Sequence, residues 1–251
     1  MNRKFSAKLI EKRWLSPEHF LLRLRPEVET PEALPGQFYL LKASKTFDPL
    51  LRRPFSIFRQ DKETLEFFIH KKGKGTTLLS EIPLGEEVQC IGPLGRGYPV
   101  KMLKENTVVV AGGMGIASVY PLLEALKGKT ALTLIYGART KKQLFFLDDL
   151  RDLDELILCT DDGSLGKRAT TVEVLGEIIK TRPPRRVYAC GPEIMNREVL
   201  KLLKEFSIEG YISFEERMAC GVGACLGCVK ETSKGMKRVC TEGPVFSSVE
   251  L

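Results

Sequence analysis

Four cysteines near the end of the chain are spaced as ligands of an iron–sulfur cluster. Cys220, Cys225 and Cys228 form a C-x4-C-x2-C pattern, and Cys240 follows after eleven further residues. Four thiolates complete the coordination of a two-iron, two-sulfur (2Fe–2S) cluster, and this spacing is typical of plant-type clusters. The glycines between the cysteines let the loop curl so that backbone N–H groups point at the sulfurs and stabilise the negative charge of the cluster. The pattern predicts a protein that moves single electrons.

Two other uses of cysteine fit this sequence less well. Structural zinc usually takes two short Cys pairs that are well separated in sequence, whereas here three Cys are crowded and the fourth stands alone. Disulfides are also unexpected, because residues 1–10 alternate charged and apolar side chains and show no signal peptide. We therefore expect reduced thiols and a cytoplasmic protein. Cys90 and Cys159 lie in apolar runs and are interpreted as small core residues.

Length, composition and charge exclude several classes of protein. A chain of 251 residues is long enough for about two domains, and a hydrophobic content of 43% is ordinary for a globular protein. No apolar run approaches the length of a membrane span, so we expect no membrane partner. The net charge is +7, but Lys and Arg are interleaved with Asp and Glu throughout. This pattern favours a solvated charged surface over a nucleic-acid-binding one.

The first hundred residues predict a small antiparallel β-barrel. Short β-like runs are separated by Pro, Gly and Asp, as is typical of such barrels. The six runs cover residues 5–14, 20–24, 37–41, 55–58, 65–70 and 87–91. Residues 92–99 hold three Gly and two Pro and are interpreted as a domain linker.

The pattern changes at residue 107 and predicts a parallel α/β half. Residues 107–111 form a continuous apolar strand of the kind that is buried on both faces of a parallel sheet. Strands then alternate with helices, which indicates βαβ units. We expect further strands at 130–136, 156–160 and 186–190, and helices that begin near residues 116, 171 and 193. Residues 211–251 are too few for a full domain and should pack on the rest.

A glycine-rich turn in this half could bind a phosphate. Gly112-Gly113-Met114-Gly115 ends a strand and opens a helix, where free backbone N–H groups suit an anion. The full dinucleotide fingerprint has Gly or Ala three residues after the last of these glycines, and this chain has Ser118 there. The turn by itself therefore leaves nucleotide binding open.

A second candidate site lies in the barrel half. Residues 52–57 place an arginine, an aromatic ring and a hydroxyl on one extended segment, with Arg53 and Phe55 facing one way and Ser56 the other. Arg can neutralise a pyrophosphate, an aromatic ring can stack on a flavin, and Ser can hydrogen-bond the edge of the flavin. Residues 73–77 add a flexible turn that opens a short helix. Without further context, an edge strand with an exposed Arg and a core Phe explains the segment better.

These motifs together resemble one superfamily over essentially the whole chain. The barrel, Arg53-Pro54-Phe55-Ser56, Gly75-Thr76, the nucleotide-like half and Cys190-Gly191-Pro192 are similar to the ferredoxin–NADP reductase superfamily. Residues 215–228 and 238–246 resemble a narrower family, the electron-transfer subunits of type B dihydroorotate dehydrogenase. The appended cluster tail makes the second resemblance much more specific than the first.

The resemblance implies three cofactors, FAD, NAD and a 2Fe–2S cluster on the four cysteines. NAD would lie at the turn formed by Gly113 and Gly115. Cys190 would lie close to the contact between nicotinamide and flavin and is the candidate catalytic residue; a small residue ending a buried strand is the alternative. The family often has two prolines where this chain has Ala117 and Ser118, so the choice between NAD and NADP stays open. The other residues implied in cofactor binding are Arg53, Pro54, Phe55, Ser56, Ile69, His70, Lys71, Gly75 and Thr76 for FAD, and Asp161 and Asp162 for NAD.

The implied fold class is α+β and multi-domain, with an FAD-binding antiparallel barrel (1–99), a parallel α/β NAD-binding domain (100–208) and a small C-terminal 2Fe–2S segment (209–251). An FMN-containing catalytic partner subunit would oxidise dihydroorotate in pyrimidine (UMP) biosynthesis. This chain would relay the electrons through its cluster and FAD to NAD, within a heterotetramer of two plus two subunits.

Two other functions stay open on the sequence. One is a flavin and iron–sulfur NAD(P)H oxidoreductase subunit that serves another acceptor, of the sulfide dehydrogenase or ferredoxin:NADP reductase type. The other is a non-enzymatic interaction module whose cysteines bind zinc. Neither reading requires an acid–base role for the two histidines.

Overall fold

The computed structural model describes residues 3–100 and 106–251. Residues 1–2 and 101–105, which include the start of the chain and part of the predicted NAD-binding domain, lie outside the described residues. Two β-sheets, four α-helices and a small hairpin make up the described chain. The three domain ranges given above stay a prediction.

The first sheet is antiparallel and contains seven strands. Buried and less buried residues alternate along its last strand, as expected for a strand with one face on a core. Helix α1 (Lys74–Glu81) precedes that strand in the chain. The strands are β1 (Arg3–Ser16), β2 (His19–Pro26), β3 (Phe38–Leu41), β4 (Arg53–Ser56), β5 (Arg59–Gln60), β6 (Leu65–His70) and β7 (Glu87–Leu94).

This sheet closes into a barrel because its two outer strands are neighbours in sequence. The strand order is β4-β3-β7-β1-β2-β6-β5, so β4 and β5 lie at opposite ends of the sheet. Only Ile57 and Phe58 separate them. Their N–H groups donate to the carbonyls of Gln37 (3.0 Å) and Glu66 (2.9 Å), one on each side of the closure. The predicted antiparallel barrel is therefore confirmed, and the two-residue β5 is a strand that the sequence did not predict.

The second sheet has six strands and carries the helices of the α/β half. Five strands are parallel, and the last one pairs antiparallel with its neighbour. The strands are β8 (Thr107–Gly112), β9 (Leu132–Ala138), β10 (Glu155–Thr160), β11 (Arg186–Cys190), β12 (Glu209–Ser213) and β15 (Val245–Ser247). The helices are α2 (Ile116–Leu126), α3 (Thr171–Thr181) and α4 (Glu193–Glu205). The predicted parallel α/β half is confirmed.

The strand order of this sheet creates a crevice between β8 and β11. The order is β10-β9-β8-β11-β12-β15. The chain therefore adds β9 and β10 on one side of β8 and then β11, β12 and β15 on the other side. Ligands of open α/β sheets bind at the carboxyl ends of strands at such a switch point. Gly112 ends β8 and Cys190 ends β11, so topology alone brings the glycine turn and Cys190 to the same crevice.

The cysteine-rich segment is inserted into the second sheet. Strands β12 and β15 pair through Ser213 and Val245, and the cysteines lie on the chain between them. A hairpin of β13 (Val229–Thr232) and β14 (Gly235–Arg238) lies between the third and fourth cysteines. The segment packs on the rest of the chain, as predicted, and it does so by extending the α/β sheet.

A layer of aromatic side chains joins the barrel to the α/β half. Phe58 and Phe68 of the barrel pack on Phe146, with ring centroids 4.5 Å and 4.9 Å apart. Phe146 has a φ of 61°, a left-handed conformation that costs a non-glycine residue about 1–3 kcal/mol. Aromatic pairs add about 0.5–1.5 kcal/mol each beyond their burial, so these contacts can offset the strain. Phe58 also packs on Tyr120 of α2, at 4.5 Å.

Residues 92–99, predicted as a linker, are a packed part of this structure. Gly92 to Leu94 end strand β7. Tyr98 is buried, its hydroxyl donates to the carbonyl of Ala189 (3.2 Å), and its ring meets Tyr188 edge to face. No helix among residues 3–100 and 106–251 is long and apolar enough to span a membrane.

Candidate functional site

A cleft of about 770 Å³ lies where the barrel, the α/β half and the cysteine-rich segment meet. Its size is in the range of cofactor pockets, which are commonly about 300–1,000 Å³. The barrel contributes residues 51–56 and Thr76, and the cysteine-rich segment contributes residues 213–218. We refer to this space as the barrel cleft.

Arg53 lies over Gly75 in the barrel cleft. A Cβ atom on Gly75 would lie 2.8 Å from Nε of Arg53, so only glycine leaves room for the arginine at this place. One guanidinium N–H donates to the carbonyl of Leu51, at 2.5 Å. The two predicted FAD motifs, which are more than 20 residues apart, are thus brought into contact. An arginine held over a close glycine can present its charge to a phosphate.

Thr76 organises the turn that opens α1. Its hydroxyl accepts from the N–H groups of Lys72 (3.0 Å) and Gly73 (3.1 Å) and donates to the carbonyl of Gly73 (2.9 Å). Lys72 and Thr76 both line the barrel cleft. The turn therefore presents a cation and a helix N-terminus to the same cleft as Arg53, which suits a pyrophosphate.

Strand β4 differs from the expected alternation of its side chains. The prediction sent Ser56 away from Arg53 and Phe55, but all three line the barrel cleft, as does Pro54. Among the residues that the structure describes, strand β4 pairs only with β3, which leaves its other edge free of strand pairing there. Because that edge lies along the cleft, side chains from both faces of the strand reach it.

Two residues of the predicted FAD set lie elsewhere. Ile69 is fully buried in the barrel core, because Phe68 and His70 on either side of it point outward from that core. The ammonium of Lys71 lies 5.8 Å from the ring of Trp14 and lines a shallow groove beside it. Neither side chain lines the barrel cleft, so a contact of either residue with the flavin stays a prediction.

A second cleft, of about 250 Å³, lies at the carboxyl edge of the parallel sheet. It is lined by residues 112–114, where β8 ends and the glycine turn begins, by residues 137–139 at the end of β9 and by Asp161 after β10. The starts of α3 and α4 also face it, through Thr170, Thr171 and Pro192. Helix N-termini favour anions, so this crevice suits the phosphates of a dinucleotide. We call it the dinucleotide cleft.

The glycines of the turn are required by close approach and by conformation. Gly113 has a φ of 51°, in the left-handed region that favours glycine, although a Cβ at this residue would meet only open space. A Cβ on Gly115 would overlap the carbonyl group of Cys190, so glycine allows the turn to lie against the end of β11. Gly115 is buried and shapes the turn from behind, whereas Gly113 lines the cleft itself.

The two predicted carboxylates at the end of β10 take different places. Asp161 lines the dinucleotide cleft. Asp162 is exposed, accepts from the N–H of Ser164 (2.9 Å) and lies outside the residues that line the cleft. The hydroxyl of Ser164, and then this backbone N–H, lower the pKa of Asp162.

The barrel cleft and the dinucleotide cleft share two residues. His70 at the end of β6 and Met114 in the glycine turn line both of them. The two spaces therefore meet where the carboxyl ends of β8 and β11 face the barrel. Groups bound in the two clefts would meet at this junction.

Cys190 lies in the wall of the barrel cleft beside three hydroxyl groups. Burial, and then the charge of Glu215, raise the pKa of the Cys190 thiol to about 12, although the hydroxyls of Ser118, Ser213 and Tyr98 oppose this. The thiol is therefore protonated at neutral pH and acts as a neutral polar group. Ser118 stands where the family often has proline, and its Oγ is buried without a well-aligned hydrogen-bond partner.

The four cysteines predicted as ligands lie together as two pairs. The backbone N–H of Cys225 donates to Sγ of Cys220, and that of Cys240 donates to Sγ of Cys228, each at 3.4 Å. No three His, Cys, Asp or Glu side chains in the described ranges are arranged to hold one metal ion. Paired thiols suit two irons that take two thiolates each, and they suit a single tetrahedral zinc poorly.

Backbone N–H groups point at the sulfurs as the glycine content predicts. Val222 donates to Sγ of Cys220 at 3.4 Å, and Gly227 donates to Sγ of Cys225 at 3.5 Å. Burial opposes ionisation of Cys220, but the backbone N–H groups of Val222 and Cys225 outweigh it and lower its pKa to about 6. Burial, and then the neighbouring Cys228, raise the pKa of Cys240 to about 11. The four thiols thus differ, and negative charge is favoured on Cys220 over Cys240.

The cysteine pairs differ in depth. Cys228 and Cys240 are buried and pack in one cluster with Met218 and Leu40, whereas Cys225 is exposed. Met218 also lines the barrel cleft. The inner pair therefore belongs to the core that adjoins the barrel cleft, and the outer pair is the more exposed one.

Sequence reasoning missed several residues of the two clefts. His19, Met114, Ser118 and residues 213–218 line them, although none of these was predicted as a binding residue. The signal that could have found Met114 is its place inside the glycine turn. The position of His19 in the cleft wall follows from its pairing with His70 across β2 and β6. Only the register of these strands shows that pairing.

The chain matches two family models. Residues 109–201 match the oxidoreductase NAD-binding domain, and residues 215–251 match the iron–sulfur cluster binding domain of dihydroorotate dehydrogenase B. The chain is 38% identical to the electron transfer subunit of dihydroorotate dehydrogenase B (NAD(+)) of Desulforamulus reducens, over 100% of this chain and 99% of the relative. It is 39% identical to the protein of the same description from Clostridium acetobutylicum, over 88% and 87% of the two chains.

Solved structures share the fold. The structure of an NADH-dependent reduced ferredoxin-NADP oxidoreductase superposes with a TM-score of 0.86 at 26% identity, over 97% of this chain and 88% of that chain. The ferredoxin reductase of carbazole 1,9a-dioxygenase superposes with a TM-score of 0.72 at 22% identity, over 82% and 66% of the two chains. The latter likeness concerns the fold alone.

Proposed function

This chain belongs to the family of electron transfer subunits of NAD(+)-dependent dihydroorotate dehydrogenase B, and from that membership we propose its function. It relays electrons from a dihydroorotate-oxidising partner, through a 2Fe–2S cluster and FAD, to NAD in pyrimidine biosynthesis. The observation that carries this proposal is the position of Met218, which lines the barrel cleft and belongs to the same hydrophobic cluster as Cys228 and Cys240. A cluster held on these thiols would therefore lie against the packed core that adjoins that cleft.

The residues of the chain have separate roles in this function. Arg53 and the turn at Thr76 hold the phosphates of FAD, while Phe55 and Ser56 contact its ring system. Gly113 and Asp161 hold NAD at the carboxyl edge of the sheet. When bound, FAD converts between single electrons and a hydride, so the protein supplies placement, electrostatics and exclusion of water. Gly75 and Gly115 act through shape, because they leave room for Arg53 and for the end of β11. Ile69, Lys71 and Asp162 would contribute only through their backbone, since their side chains do not line the two clefts.

We assign Cys190 to the contact between nicotinamide and flavin as a neutral thiol. Its buried position at the junction of the two clefts supports this role, and its raised pKa rules out a thiolate at neutral pH. The four ligands of the cluster are Cys220, Cys225, Cys228 and Cys240. Their paired arrangement and their backbone donors support this assignment.

The description of the relatives as electron transfer subunits implies a catalytic partner subunit. We propose that this partner carries FMN and that two copies of each subunit assemble in the cytoplasm. The outer cysteine pair supports docking of a partner at the cluster, because it is the part of the donor set that faces solvent.

The test is reconstitution with the dihydroorotate-oxidising subunit from the same genome. Dihydroorotate should reduce NAD only when both subunits are present, as followed by absorbance of NADH. The chain alone should bind FAD and iron, and it should oxidise NADH with an artificial dye. If the chain binds its cofactors but accepts electrons from reduced ferredoxin and never from the dihydroorotate-oxidising subunit, the proposed function is wrong.

A further inference from the structure

The two histidines of the described chain are stacked on each other. His19 begins β2 and His70 ends β6, and the two residues are directly paired across these strands. Their rings lie 4.4 Å apart at an interplanar angle of 12°. Such a stack holds one proton more easily than two, because like charges at this separation repel each other.

The stack lies in the wall of the dinucleotide cleft. Both rings line it, facing the glycine turn that contains Gly113 across the cleft. The neighbouring ring of Phe145 packs on His19, with centroids 4.7 Å apart, and Nδ1 of His19 is 2.9 Å from the hydroxyl of Ser16. These contacts fix His19, and the stack in turn fixes the orientation of His70.

The opposite wall is built for an anion. The glycine turn and the starts of α3 and α4 face this cleft, and Arg139 lines it as well. The histidines are the only titratable groups near neutral pH among the lining residues of the described chain. A proton on the stack would therefore add a cation on the barrel side of an anion held by the α/β half.

The other charges around the stack can be named. Nε2 of His70 is 3.8 Å from the Glu18 carboxylate. Asp161 and Arg139 line the same cleft, Lys72 lines the barrel cleft beside His70, and Lys71 is turned toward Trp14. Burial, and then the nearby His70, lower the pKa of His19, and Glu18 opposes this. His19 is thus mostly neutral near pH 7 when the cleft holds no anion.

We propose that His19 and His70 act as one proton-binding unit that takes up a proton together with the phosphates of the dinucleotide. This rests on the proposed function, because it assigns pH sensitivity to the site that binds NAD. The sign follows from linkage: an anion stabilises the protonated stack, so the dinucleotide binds more tightly as pH falls. One proton per binding event limits the effect to about tenfold per pH unit.

The test measures dissociation constants of the FAD-loaded chain by calorimetry from about pH 8 to about pH 6, the range in which histidine titrates. The titrations are anaerobic and the FAD is reduced beforehand with dithionite, so that NADH binds without transferring a hydride. Three probes separate the parts of the dinucleotide: NADH, ADP-ribose, which keeps the pyrophosphate but lacks nicotinamide, and adenosine, which has no phosphate. For NADH and ADP-ribose we expect affinity to rise about three- to tenfold over this range. Adenosine should show no such rise, and buffers of different ionisation enthalpy should report proton uptake only with the first two.

Variants identify the titrating group. His70→Asn and His19→Asn should both remove the pH slope for ADP-ribose, and flavin content with circular dichroism checks that each variant is folded. Arg139→Gln serves as the matched control, since it removes a cation that does not titrate; it should weaken binding at every pH and keep the slope.

An unchanged slope in a folded His70→Asn chain would overturn the proposal. So would an equal slope for adenosine, because it would place the titrating group away from the phosphates. Failure of the wild-type chain to bind NADH at any pH would instead count against the proposed function.

Discussion

Arg59 of the barrel and Asp149 of the α/β half form an ion pair across the boundary between the two parts, with Nη2 and Oδ2 2.5 Å apart. The same nitrogen donates to the hydroxyl of Tyr120 on α2, at 2.6 Å. The guanidinium also lies 4.9 Å and 4.7 Å from the ring centroids of Phe58 and Tyr120. One side chain thus holds the barrel against the first helix after the glycine turn.

Arg59→Ala should loosen this boundary. We expect weaker NADH binding and a lower unfolding temperature, from loss of contacts worth roughly 1–3 kcal/mol in total. The exposed ion pair contributes the smaller part of this, since such pairs are worth about 1 kcal/mol or less. Arg23→Ala is the matched control, because Arg23 is similarly exposed and also pairs with Glu66, as Arg59 does, but its ion pairs with Glu11 and Glu66 stay within the barrel sheet. Calorimetry of unfolding and NADH titration measure both effects, and equal losses of NADH affinity in the two variants would contradict the role of Arg59.

Cys225→Ser should remove the cluster and leave FAD in place. A site with three thiolates leaves one iron short of one ligand, so the cluster should be lost. FAD should stay bound because the barrel cleft has contacts of its own. Electron paramagnetic resonance of the dithionite-reduced protein reads the cluster, and absorbance reads the flavin. Cys159→Ser is the control, since Cys159 is buried on β10, at the opposite edge of the α/β sheet from the strands that flank the cysteine-rich segment. A two-iron signal of full intensity in Cys225→Ser would show that Cys225 is not a ligand.

Arg53→Ala should weaken FAD binding. Loss of a charge-assisted contact to phosphate costs about 1.5–3 kcal/mol, which is about a tenfold to hundredfold change in affinity. Gly75→Ala should act in the same direction, because its Cβ would displace the arginine side chain. Flavin retained after dialysis measures both variants. Full retention of FAD in Arg53→Ala would make this arginine a structural residue.

Leu226→Glu should weaken assembly with the dihydroorotate-oxidising subunit. Leu226 is 60% exposed beside the outer cysteine pair, and a carboxylate there would be buried without a partner in any interface at the cluster. The cluster, FAD and NADH oxidation with dyes should be retained. Leu84→Glu is the control, since Leu84 is 64% exposed at a turn of the barrel. Dihydroorotate-dependent NAD reduction is titrated with partner, and undiminished transfer at limiting partner would place the docking surface elsewhere.

Asp161→Ala should relax discrimination against NADP. The carboxylate lines the dinucleotide cleft, and a second phosphate on the ribose would be repelled by it. We expect kcat/KM for NADPH in dye reduction to rise by about fivefold, since removal of one unfavourable charge pair is worth about 1 kcal/mol. Asp162→Ala should change little, because Asp162 is engaged with Ser164 outside the cleft. Equal responses of the two variants would remove Asp161 from the site.

The sequence predicts those parts of the fold whose signals are local. Strands β6 and β11 begin and end where the apolar runs place them, and the glycine turn lies where a strand meets a helix. Features that depend on distant pairing were not predicted. The addition of β15 to the α/β sheet beside β12 is of this kind, because the two strands are far apart in sequence. Strand β5 pairs with the nearby β6, but its two polar residues are too short a run to predict a strand.

The same division holds for the candidate site. Short motifs bring Arg53, Thr76, Gly113 and the cysteines to attention, and they cluster in the structure. Which face a residue presents was harder to predict. Ser56 reaches the barrel cleft because β4 has a free edge, and Ile69 leaves it because its neighbours occupy the outward positions. The roles of all these residues stay predictions until the variants are measured.

The pairing of Ser213 with Val245 has a consequence for how such proteins can change. In an antiparallel ladder, paired residues are neighbours in space, so the chain leaves the sheet and returns to it at nearly the same point. Residues 214–244, including all four thiols, are therefore one long excursion between two adjacent anchor points. An excursion of this kind can be lengthened, exchanged or lost without rerouting the backbone of the reductase. The segment through which electrons reach the flavin can thus be replaced while the fold of the barrel and the α/β sheet stays the same.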